Sequence, residues 1–77
     1  MTIPEELRSA LRDFRAVRAR KPPGSAGAAD PVDWHEAMAA ALDTLAAHLV
    51  HESDRIRARD SATGHREEAA RLRRPQA

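Results

Sequence analysis

The residues in this 77-residue chain whose types and spacing come nearest to chemistry are His48, His51 and Glu52. On one continuous helix His48 and Glu52, four apart, share a face, and His51 lies one turn from His48. Imidazole and carboxylate at this spacing can ligate zinc or iron inside a helical bundle. The order His-x-x-His-Glu differs from the His-Glu-x-x-His and His-x-x-Glu-His patterns of zinc proteases, which hold two histidines and a general base on one helix face. The plainer reading is a histidine and a glutamate bordering a core, and a histidine pH switch is a further alternative.

The fragment from His48 to Glu52 resembles one piece of the ligand set of hemerythrin-like helical bundles. That resemblance implies several more histidine and carboxylate ligands from other helices, which His35 and His65 are poorly placed to supply. Neither a metal nor a cofactor is expected. Other catalytic patterns are missing from the sequence: it has no cysteine nucleophile, no tyrosine, no glycine-rich phosphate loop and no Gly-x-Ser-x-Gly elbow. A short helical chain also offers little room for a closed pocket of the usual few hundred Å³. An enzyme is not expected.

Phosphate recognition is the second chemistry to weigh. Arg55, Arg57, Arg59, Arg66, Arg71, Arg73 and Arg74 crowd the C-terminal third, and arginines of this kind neutralise nucleic-acid backbones. Residues 1–21 hold six Lys and Arg against three acids, net +3. Residues 22–54 hold six acids and no Lys or Arg, net −6, and residues 55–77 hold seven Arg against three acids, net +4; together they give +1. An acidic middle repels a polyanion. The two aromatic residues, Phe14 and Trp34, lie on apolar stripes and are not free to stack on bases. A nucleic-acid-associated dimer is therefore the second choice of function, behind protein–protein interaction.

The elements that position these residues are helical. From Asp33 to about Arg59, Trp34, Met38, Ala41, Leu42, Leu45, Leu49 and Ile56 fall within an arc of roughly 100° at 100° per residue. Asp30-Pro31 supplies an N-cap with proline at the first helical position, and Asp33 with Glu36 supplies an alternative capping box. The expectation is one helix over about 31–60. Ala39, Ala46 and Val50 widen its apolar surface to about half the circumference, so it should touch two or more helices. Arg55, Arg57 and Arg59 would then lie near its C-terminus, where cations suit the macrodipole. Glu52 would project into the apolar arc, which is costly unless it is paired or marks the end of the core.

Ahead of it, residues 3–20 form a one-sided amphipathic helix with Ile3, Leu7, Ala10, Leu11, Phe14 and Val17 on its stripe, opened by a Thr2–Glu5 capping box. Arg8, Arg12 and Arg15 lie beyond one edge of the stripe, Glu6 and Asp13 beyond the other. Residues 21–30, with two prolines and two glycines, read as a flexible linker that permits either a closed hairpin or exchange between subunits. A closed hairpin would set Phe14 and Val17 against Trp34 and Met38, Leu11 against Leu42, and Leu7 against Leu45 and Leu49. The basic first helix would then lie beside the acidic middle. Ser61-Ala62-Thr63-Gly64 reads as a break, and 61–77 as a short or frayed basic extension in which Leu72 is the one large apolar residue.

Core material is thin: of 32 hydrophobic residues 17 are alanine. A two-helix hairpin of this composition is marginal alone, and self-association is the simplest remedy. The resulting expectation is an all-α antiparallel hairpin with a weak third segment, dimerising into an assembly like a four-helix bundle or docking on a larger partner. Leu7, Leu11, Phe14, Trp34, Met38, Leu42, Leu45 and Leu49 would serve as core and interface together. No stretch of 18 apolar residues and no signal-peptide pattern occurs, so no membrane is expected and the cytoplasm is the default location. Arginine outnumbers lysine 12 to 1, a bias of high-GC genomes such as those of actinobacteria.

Overall fold

Asp30 and Pro31 open the central helix as the sequence leads one to expect. The Asp30 carboxylate accepts a hydrogen bond from the Val32 backbone N–H at 2.8 Å, and Pro31 sits where no N–H is needed. The Asp33–Glu36 alternative is not used, since Glu36 is engaged elsewhere. A computed structural model describes residues 3–20 and 30–74, and these form three helices: α1 (Glu5–Ala19), α2 (Pro31–His48) and α3 (Glu52–Arg73). No described residue is in a strand. Residues 21–29 of the expected 21–30 linker, the Thr2 cap and the 75–77 end lie outside the described residues.

Antiparallel packing follows from the residues that meet. The Trp34 indole N–H, in the first turn of α2, donates to the Val17 carbonyl near the end of α1 at 2.9 Å. Phe14 packs against the cluster of Ala39, Leu42, Ala46, Ala58 and Ala62. The hairpin is thus closed within one chain, in the register that pairs Val17 with Trp34. α2 also packs along α3, so it does touch two helices, as the width of its apolar arc requires. The two neighbours meet α2 on different sides and, among the described residues, make no close backbone approach to each other. The result is a slab of 52 × 23 × 14 Å with α2 in the middle.

The single helix over 31–60 is not observed. α2 stops at His48, Leu49 (φ −74°, ψ 142°) and His51 (φ −88°, ψ 134°) are extended, and α3 begins at Glu52. The expected break at 61–64 is absent, and α3 runs unbroken for 22 residues to Arg73. Two physical causes explain the shift. Glu52 and Asp54 occupy the first turn of α3 and Arg71 and Arg73 its last, so both ends complement the macrodipole. More importantly, α3 carries a packing stripe of small residues, Ala58, Ala62, His65 and Ala69, at steps of four, three and four, which folds back onto α2.

That stripe meets its counterpart on α2, where His35, Ala39, Leu42, Ala46 and Leu49 recur at steps of four, three, four and three. Ala39, Ala46, Ala62 and Ala69 are at most 2% exposed. Methyl-sized side chains on both helices let the backbones approach closely, and alanine carries the least conformational cost in a helix. Gly64 does not interrupt α3: its φ is not positive, and a β-carbon there would meet nothing within 4 Å. α1 begins at Glu5 behind Pro4, with no side-chain cap.

Candidate functional site

His35 and His65, dismissed above as poorly placed, meet each other. Their Nδ1 atoms lie 2.8 Å apart across the α2–α3 seam. Both belong to the small-residue stripes, where flanking alanines leave room for two imidazoles. Trp34 stands edge-on to both rings, with centroids 4.9 Å from His35 and 5.4 Å from His65. Because the same indole donates to Val17 of α1, this one side chain joins all three helices.

The electrostatics of the junction are set by burial and by two neighbouring ion pairs. Desolvation, followed by the charge of His35, pushes the His65 pKa below its ordinary 6.5. One turn along α3, Glu68 receives a two-pronged contact from Arg71, whose hydrogen bonds, together with the charges of Arg71 and His35, hold its carboxyl below the usual range. The same contact raises the Arg71 pKa. Glu36, next to His35, accepts from Arg73 at 2.6 Å, and Asp43 pairs with Arg66. Glu36 and Asp43 are seven apart, as are Arg66 and Arg73, so the two cross-helix pairs flank the seam at heptad spacing. The acidic α2 therefore makes its ion pairs with arginines of α3; none joins it to α1 among the described residues.

The histidine–carboxylate constellation does not form. His48 is the last residue of α2, His51 precedes α3 and Glu52 opens it, so the four-residue spacing no longer runs along one helix. Among the described residues no group of three metal-ligating side chains converges. Glu52 is exposed at a helix N-terminus, which removes the apolar-arc conflict expected for it. Of the arginines, Arg66, Arg71 and Arg73 are engaged by carboxylates, and Arg55 turns back to donate to the Val50 carbonyl at 3.3 Å. Arg57, Arg59 and Arg74 are exposed, and Arg57 and Arg59 lie in the first turns of α3, not at a helix C-terminus.

Of the apolar candidates, Met38, Leu42 and Leu45 are buried, while Leu7, Leu11, Phe14, Trp34 and Leu49 are half-buried. Four aliphatic side chains among the described residues are exposed: Leu72 near the end of α3, and Val50 (73% exposed), Ile3 (50%) and Ile56 (48%). Antiparallel packing brings Val50, Ile3 and Ile56 to one end of the slab, where α1 starts and α2 hands over to α3. An open cleft of about 430 Å³ begins at Ile3 and runs along α1 past Arg8, Leu11, Arg12 and Arg15. The closed hairpin read from the sequence already brings Ile3 towards Ile56; the histidine junction was not legible through large apolar residues, and the alanine period through Ala58, Ala62 and Ala69 was its signal. The chain matches no family model, no curated protein and no solved structure in comparisons with each.

Proposed function

We propose that this chain is a non-catalytic interaction or accessory module, acting in the cytoplasm, that pairs with a second copy of itself or docks on a larger partner through its apolar end. The observation that carries this reading is the exposure of Val50, Ile3 and Ile56 together at that end. Fully covering an exposed aliphatic side chain gains roughly 1.5 to 3 kcal/mol, and Ile3 and Ile56, already half covered, gain about half of that each. The core behind them is thin: apart from Met38, Leu42 and Leu45, the buried hydrophobic residues are alanines. A four-helix-bundle-like dimer is the assembly that would cover the end and broaden that core. The cysteine-free composition supports a reducing compartment.

Nucleic-acid association ranks second, because Arg57, Arg59 and Arg74 are exposed and pair with no carboxylate among the described residues. Against it, three of the C-terminal arginines already hold acids of α2 and α3.

Sedimentation at several concentrations tests the proposal. The double substitution Val50→Asp and Ile56→Glu touches only exposed positions, so helical content should persist while self-association weakens by about tenfold or more, since roughly 1.4 kcal/mol is a factor of ten. A wild-type chain that stays monomeric at about millimolar concentration would eliminate the homodimer. An unchanged association constant in the variant would place the interface elsewhere.

A further inference from the structure

We infer that the His35–His65 contact is a proton-operated latch between α2 and α3, closed while the two rings share one Nδ1 proton and opened when both are charged. A contact of 2.8 Å between two Nδ1 atoms is a hydrogen bond only if one nitrogen carries hydrogen and the other presents its lone pair. Two neutral rings of suitable tautomer satisfy this, as does a pair carrying a single charge. Two imidazolium rings do not: both Nδ1 atoms are then donors, and two like charges face each other at the same short distance.

Glu68, which couples to His35, and Glu36, its neighbour in sequence, are both already paired with arginines. From α3 the facing carboxylate is Glu68, and Arg71 already holds it. From α2 the nearest in sequence is Glu36, which accepts from Arg73. α1 contributes the Val17 carbonyl to Trp34, and among the described residues none of its titratable side chains bonds to either ring. The favourable coupling between His35 and Glu68 supports one charge at the site, while the charge of His35 opposes one on His65.

The direction of the pH response follows. Folding lowers the His65 pKa, so the folded chain binds fewer protons than the unfolded one, and stability rises with pH across that interval. The contribution is fully present above 6.5 and is lost as pH falls through the lowered value. Neither the Asp43–Arg66 pair nor the Glu36–Arg73 pair involves an imidazole. Opening is therefore confined to the Trp34 junction, the end opposite Val50, and α2 and α3 remain joined along the alanine seam.

Trp34 is the only tryptophan, so its fluorescence and indole N–H resonance report the latch in the full chain, while histidine NMR follows each ring. Between about pH 7.5 and pH 5 the wild type should show a midpoint for His65 below 6.5 and a change in the Trp34 indole signal with the same midpoint, while helical circular dichroism stays constant. In His35→Asn, which keeps a hydrogen-bonding group but cannot be charged, the His65 midpoint should move up and the Trp34 change should be lost. His65→Asn, the reciprocal variant, should also lose the Trp34 change, and it serves if His35→Asn fails to fold. A His65 midpoint at 6.5 that does not respond to His35→Asn overturns the latch, as does a Trp34 signal that titrates identically in the wild type and either variant.

Discussion

α2 is held on its two sides by different materials. Toward α1 it presents Trp34, whose indole N–H donates to the Val17 carbonyl, and the cluster around Leu42 that the large Phe14 ring packs against. Toward α3 it presents Ala39 and Ala46 to Ala58, Ala62 and Ala69, a seam of methyl groups with ion pairs along its flank and two histidines at one end. Large knobs bury much apolar area per residue but tolerate loose fit. Methyl seams bury little per residue and depend on close backbone approach, so they are intolerant of added volume. The chain uses the first material where α1 is short and the second where α3 is long.

The largest effect should come where the two seams meet. Leu42 is 5% exposed and belongs to the cluster that Phe14 enters from α1 and Ala58 and Ala62 enter from α3. Leu42→Ala should cost about 2 to 5 kcal/mol in urea unfolding, loosening both sides together. Loss of one seam with the other intact would break the picture of a shared core.

A smaller but more selective effect belongs to Ala62, which is fully buried. Ala62→Leu should destabilise by about 1 to 3 kcal/mol through overpacking. In amide exchange the loss should concentrate in α3 and spare α1. A neutral or stabilising result would mean the seam is not closely packed.

These positions also show where the sequence was readable. The periodicity of Ile3, Leu7, Phe14 and Val17 and the Asp30-Pro31 cap place α1 and the start of α2 correctly, because large apolar residues and a capping aspartate announce themselves. The width of the apolar arc on α2 required two neighbours. What remained illegible was the turn at Leu49–His51, which contains neither glycine nor proline, and the continuity of α3 through Gly64. Both are decided by tertiary packing of alanines, which count for little on a scale of apolar bulk. The His35–His65 pair was hidden for the same reason: its two halves lie 30 residues apart and meet only if α3 folds back. The His48–Glu52 spacing was readable and misleading, since it assumed a helix that the turn interrupts.

The smallest effect separates the two placements of the turn. Gly64 is in the interior of α3 with free space around it, so Gly64→Ala should stabilise by about 0.5 to 1 kcal/mol in thermal unfolding. A break at 61–64, the expectation from sequence alone, would make the same substitution neutral or unfavourable.

α3 turns back at Leu49–His51 and lies along α2 through an alanine seam. Nuclear Overhauser spectroscopy on the full chain tests it most directly. The expected result is cross-peaks from the Ala62 methyl to the Leu42 side chain and an interruption of helical connectivities between His48 and Glu52. Unbroken helical connectivities from Ala46 to Ile56, with no Ala62–Leu42 cross-peak, would contradict it.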